Sequence, residues 1–194
     1  MKLFEMFDKV NKTKTNDVHR FKLKMFEHYN NTILFKTNLN EGDENKKQFV
    51  LSALNKNELS TTPQEFYDSL MKSKHPDMLT HYSVSDLSQM RLFKVPELNI
   101  GYALKKFDDG QYSEIVAVHN NEPDITGIGQ DLIKNAVKNG GKYLDHFDGF
   151  LTQLYKNAGF EEYKRDSYNP EYDPDGKFRE KYGKQDVIYR KYNG

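Results

Sequence analysis

The stretch "ITGIGQDLIKNAVKNGG", Ile125 to Gly141, decides how this chain is read. Ile128, Leu132, Ile133, Ala136 and Val137 recur at helical spacing, which predicts an amphipathic helix over Gly127–Asn139 ended by Gly140 and Gly141. Gly127 and Gly129 stand at its start, and glycines there admit two readings. They let an anion approach the unpaired amides and partial positive charge of a helix N-terminus, so Thr126, Gly127, Ile128, Gly129 and Gln130 are candidates to hold a phosphate or pyrophosphate. They equally let a loop turn tightly into the helix. No Lys-Ser or Lys-Thr follows, so this is no Walker loop, and the third glycine of a dinucleotide fingerprint is missing.

Upstream, "LNIGYALKKF" and "QYSEIVAVHN" read as two strands joined by Asp109-Gly110, a strong hairpin signal. Downstream, "KYLDHF" reads as a strand and "GFLTQLYKNAGF" as a helix with Phe150, Leu151, Leu154 and Tyr155 at helical spacing. Gly159 sits where a left-handed cap is wanted. "FEEYKR" and "DVIYRKY" return as strands, separated by the long polar insertion "DSYNPEYDPDGKFREKYGKQ". The succession from Leu98 is strand, strand, helix, strand, helix, strand, loop, strand, which predicts a mixed α/β layer.

Residues 1–90 read as helical and 91–194 as the α/β domain. Leu3, Phe7 and Val10 share one helical face, as do Phe21, Met25 and Tyr29. Lys36–Gln48 is polar and charged around one glycine and reads as a surface loop. "STTPQEFYDSLMKS" carries the clearest helix start: Thr62 as cap, Pro63 at the first position and Glu65 completing a capping box. His75-Pro76 disfavours continuation, and Ser83–Met90 predicts one more short capped helix.

Composition narrows the chemistry. Among 194 residues, 29 Lys and Arg balance 29 Asp and Glu, so no global field gathers nucleic acid or an anionic membrane. With no cysteine there are no disulfides, thiolate metal sites or thiol nucleophiles. The six histidines are scattered without a helical pair, so no metal site is expected. Glu171–Gly176 lacks the distal ligands of a calcium loop and reads as a solvated turn, and Lys177–Lys184 reads as a plain surface loop rather than a nucleic-acid contact. No apolar run approaches the roughly 18 residues of a membrane span. The chain is expected to be soluble and cytoplasmic.

The order of elements around Gly127-Ile128-Gly129, with Tyr155 followed after three residues by Gly159-Phe160, resembles the core of the GNAT N-acetyltransferase superfamily. The resemblance covers Leu98 to Tyr192. It implies a central mixed sheet with flanking helices, acetyl-CoA as cofactor with its pyrophosphate on the amides of Thr126–Gln130, and a pantetheine arm admitted between splayed strands. Tyr155 would then be the general acid that protonates the departing thiolate, and His119 and Glu122 the nearest candidates for the base, with Asp145 or Asp148 as further options. The tyrosine-rich segment Tyr168–Tyr182 would wall the site of the acceptor, a small-molecule or protein amine. One departure stands out: Asp124 occupies the position where the family pattern has Arg or Gln, and Asp131 adds a second acid in the first helical turn. The stretch "GGKYLDHFDGFLTQLYKNAGF" also looks like small acetyltransferase-like proteins of bacteriophages. That resemblance implies an alternative, a non-catalytic protein of host cytoplasm or virion whose N-terminal helices dock on a protein partner or a capsid.

Overall fold

The computed structural model describes residues 43–194, apart from positions 58, 74–77 and 109. The helices expected over Leu3–Val10 and Phe21–Tyr29, and the stop at His75-Pro76, lie outside the described residues. Lys47–Gly194 forms one compact unit. Its helices are α1 (Asp43–Lys56, entering from just before it), α2 (Pro63–Leu70), α3 (Val84–Leu87), α4 (Gly129–Lys138), α5 (Phe150–Asn157) and α6 (Lys177–Tyr182). The strands are β1 (Arg91–Lys94), β2 (Ile100–Lys106), β3 (Tyr112–Asn120), β4 (Tyr143–Phe147), β5 (Phe160–Asp166) and β6 (Val187–Tyr192). The compact unit thus takes in α2 and α3, which the sequence groups with the helical N-terminal part.

Local chemistry explains most of the element starts. Thr62 accepts from the Glu65 amide while the Glu65 carboxylate accepts from Thr62 N–H at 2.8 Å, closing the expected capping box ahead of α2. Ser83 and Asp86 repeat the device at α3. Gly159, at φ +89°, turns the chain from α5 into β5.

Two expectations are corrected and one strand was not foreseen. Lys177–Lys184, expected as a surface loop, is helical over Lys177–Tyr182. The polar segment expected as a loop up to Gln48 is helical from Asp43. The reason is tertiary: Val50, Ala53 and Leu54 are buried, and Asn135 of α4 donates to Leu54 O at 2.6 Å, so packing outweighs a weakly patterned sequence. Asn135 also accepts from Tyr102 Oη, and this buried polar chain ties α1, α4 and β2 together. Strand β1 escaped the sequence because its four residues carry little alternation. It exists by pairing with β2, Leu92 opposite Ala103 and Lys94 opposite Gly101.

Among the described residues six strands form one mixed sheet in the order β1-β2-β3-β4-β6-β5, with helices on both sides. All neighbours are antiparallel except β3 and β4. Parallel neighbours need a crossover, which α4 supplies, burying Leu132, Ile133 and Ala136 against the sheet. Side chains alternate across β4. His146 faces α5, its ring 5.0 Å from that of Tyr155, whereas Phe147 faces the other way and meets Phe178 of α6 at 4.8 Å. On that second side Phe66 of α2 and Leu87 of α3 pack against Ala103 and Val116. No described helix is long and apolar enough to cross a membrane.

Candidate active site

Strands β3 and β4 meet as parallel partners at a single register position, Glu114 opposite Tyr143, reinforced by Lys142 N–H donating to Ser113 O at 2.7 Å. Beyond that point they part. A parallel pair that opens leaves main-chain groups without a neighbouring strand, and a cavity of about 600 Å³ occupies the gap. Ile115–Val118 form its β3 wall and Asp145–Asp148 its β4 wall. Because the gap runs through the sheet, side chains from both sides reach it: His146 and Tyr155 from one, Tyr82, Asp145 and Tyr182 from the other.

A bulge shapes the β3 wall. Gly101 pairs with His119 and Ala103 with Val116, so Ala117 and Val118 together oppose Tyr102. Ala117 takes φ +51°, a left-handed conformation costly for a residue with a Cβ and often found where a site must be shaped. His119 holds it. Its Nδ1–H donates to Ala117 O at 2.9 Å, and its Nε2 therefore accepts from Ser69 Oγ of α2, also at 2.9 Å. Burial pushes the imidazole pKa down to about 4, so the ring is neutral with both nitrogens engaged. Glu122 is also spoken for: Oε1 accepts from both the amide and the side-chain Nδ2 of Asn99, each at 2.7 Å. Neither His119 nor Glu122 lines the cavity.

Tyr155 does. Its ring is buried between His146 and Phe160, and burial first, then the charge of Asp145, pushes its pKa up to about 12, so the phenol keeps its proton through the neutral range. His146 is fixed by Arg190, whose Nε–H donates to His146 Nε2 at 2.9 Å, while Nδ1–H donates to Phe147 O. The second guanidinium bond goes to Phe160 O at 3.1 Å. Burial lowers the His146 pKa, and the adjacent guanidinium acts in the same direction.

Among the described residues two carboxylates line the cavity. Asp148 is engaged by Arg165 at 2.7 Å and by Thr152 Oγ1 at 2.8 Å, and those bonds hold its pKa below the ordinary range. Asp145 has no ion-pair partner within 4 Å among the described residues. Burial raises its pKa, nearby positive charge including that of Lys105 opposes the rise, and the residue stays open to solvent. Tyr182 Oη is buried there without a hydrogen-bond partner among the described residues, and so is available to a ligand. Bulge, tyrosine and carboxylate have in common that no local sequence signal joins them; only the parting of β3 and β4 does.

The glycine loop is a second feature, outside the cavity lining. Asn120 Nδ2 donates to Ile125 O at 2.6 Å, its Oδ1 accepts from Glu122 N–H, and the Ile125 and Ile128 side chains are buried, so the loop is anchored at both ends. Both glycines have a conformational reason to be there. Gly127 has φ +74°, and a Cβ on Gly129 would come within 2.8 Å of Leu154 Cδ1 on α5. Beyond that, the amides of Gly127, Ile128, Gly129 and Gln130 donate to no other described residue, and the direction a Gly127 Cβ would take leads to Lys47 Nζ at 3.6 Å. Open donors beside an ammonium suit an anion. Asp124 is exposed and Asp131 half-buried at the same end of the helix, and their charge opposes one. Leu154, against the loop, and Tyr155, in the cavity, are consecutive on α5, so one helix links the two features.

The remaining acidic motif is structural. Asp173 accepts from Tyr168 Oη and from the Phe178 and Arg179 amides, capping α6, and Asp175 pairs with Lys177.

Compared with known proteins, the chain matches no family model, no curated protein and no solved structure.

Proposed function

We propose that this chain is an acetyl-CoA-dependent N-acetyltransferase-like protein that transfers an acetyl group to an amine. The observation that carries the reading is the parting of β3 and β4 directly after their single paired position, with a bulged strand on one side of the gap and the Tyr155 phenol in its wall. A linear ligand carrying amides can pair with the main chain of an opened strand as an added strand does. The open amides of Gly127–Gln130 and the nearby Lys47 ammonium fit a pyrophosphate. When bound, acetyl-CoA supplies the activated acetyl thioester. Tyr155 holds a proton within the cavity for the departing sulfur, His119 fixes the strand bulge, and Arg190 fixes His146 beneath the tyrosine.

A second reading is favoured by Asp124 and Asp131, acids just before and within the first turn of the helix whose start the first reading gives to a pyrophosphate. On it, the scaffold acts without catalysis, through protein contacts in a virion or a host cell.

Calorimetric titration with acetyl-CoA separates the two. The transferase reading expects micromolar binding that Gly127→Glu abolishes while circular dichroism stays native. No heat at millimolar acetyl-CoA overturns it in favour of the second reading.

A further inference from the structure

The cavity has a marked chemical bias beyond what acetyl transfer requires. Among the described residues no Lys or Arg lines it, and its two carboxylates differ: Asp148 is paired with Arg165, whereas Asp145 has no ion partner. Lys105, whose charge reaches Asp145, is itself paired with Glu114 at 3.3 Å. His146 adds no positive charge, because Arg190 donates to its Nε2. Much of the rest of the lining is apolar or aromatic, Met78, Leu79, Tyr82, Phe147 and Val187 among it, with Thr80 as a neutral polar member. At the rim, Phe150 is left 87% exposed and Leu151 37% exposed, apolar surface that a ligand's apolar body would cover. Aromatic faces beside a lone carboxylate make an ammonium site, since the ring quadrupole and the carboxylate both attract a cation. The volume is that of a small-molecule pocket.

We infer that the cavity binds a primary amine carried on an apolar or aromatic body, with its ammonium at Asp145 and its body against Met78, Leu79, Phe150 and Leu151. This names the acceptor of the proposed function, and rests on that reading only in calling the bound molecule an acceptor. An anionic acceptor meets no lining cation among the described residues, and a polyamine leaves the apolar rim exposed. The buried Tyr182 hydroxyl offers one further hydrogen bond to a polar group on the ligand.

The test uses the full chain without acetyl-CoA, titrated by NMR with phenethylamine, its neutral isostere 2-phenylethanol, phenylacetate and spermidine. Phenethylamine is expected to bind at least about tenfold more tightly than the alcohol, the effect of one charge-assisted hydrogen bond. Phenylacetate and spermidine are expected to bind more weakly still. Asp145→Asn should reduce the amine-to-alcohol ratio to about one while leaving alcohol affinity and thermal midpoint unchanged. Equal binding of amine and alcohol, a preference for spermidine, or a ratio untouched by Asp145→Asn overturns the inference. Amine selectivity without acetyl-CoA binding would leave the amine site standing and remove the transferase. Acetyl-CoA binding without amine selectivity would do the reverse.

Discussion

His119 Nδ1 lies 2.9 Å from the carbonyl of Ala117, two residues back along the same strand, and so braces the bulge of β3 that lines the cavity. A histidine that would be a candidate base on residue type alone is, by its hydrogen bonds, a strut.

Its protonation should be felt in stability. The folded-state pKa is about 4, below the ordinary value of 6.5, so the fold favours the neutral ring. That contribution is complete above pH 6.5 and is lost as the pH falls toward 4, amounting to up to about 3 kcal/mol. His146, also lowered, adds to the same window. Urea denaturation across this range should show the wild type weakening, and His119→Gln should show a flatter profile; parallel profiles would mean that the ring titrates normally.

Gly129 and Leu154 should behave as a coupled pair. A methyl at Gly129 comes within 2.8 Å of the Leu154 side chain, whose end can shift only at the expense of the α4–α5 contact. Gly129→Ala is expected to cost about 1 kcal/mol alone and much less in a Leu154→Ala background. Strict additivity in chemical denaturation would place the close contact elsewhere.

Tyr155→Phe removes only the phenolic hydroxyl from the cavity wall. If Tyr155 supplies a proton to the departing group, kcat should drop roughly 100-fold with little change in KM for either substrate. A changed KM with intact kcat would assign the hydroxyl to binding.

Glu122 should separate from the chemistry. Its carboxylate holds the Asn99 amide and side chain, outside the cavity, so Glu122→Ala should destabilise by about 1–3 kcal/mol. Turnover per folded molecule should survive. Loss of turnover at unchanged stability would restore Glu122 as a base.

Much of the fold was legible in the residues. The α2 capping box, the β2–β3 hairpin, the α4 stripe and the cap at Gly159 are written in local chemistry, because each satisfies its own backbone within a few positions. Strand β1 and the helical state of Asp43–Gln48 were not legible: β1 exists through its pairing with Ala103 and Tyr102, and α1 is held further along, where Asn135 donates to Leu54 O. The site divides in the same way. Tyr155 was singled out by the family resemblance and the Thr126–Gln130 loop by its glycines before a helix, whereas Tyr82, the bulge at Ala117 and the differing states of Asp145 and Asp148 carry no local signature.

What the amino-acid order determined by itself was most of the elements and their order: a glycine turn before an amphipathic helix, and strands flanking it. Tertiary structure alone decided which side chains face one another across the gap. Strand separation is set by where pairing stops, here after Glu114 and Tyr143, next to a bulge held by His119, which Ser69 fixes from another part of the chain. Periodicity reports which face a residue takes; it carries no information on the distance between two strands joined through a helix.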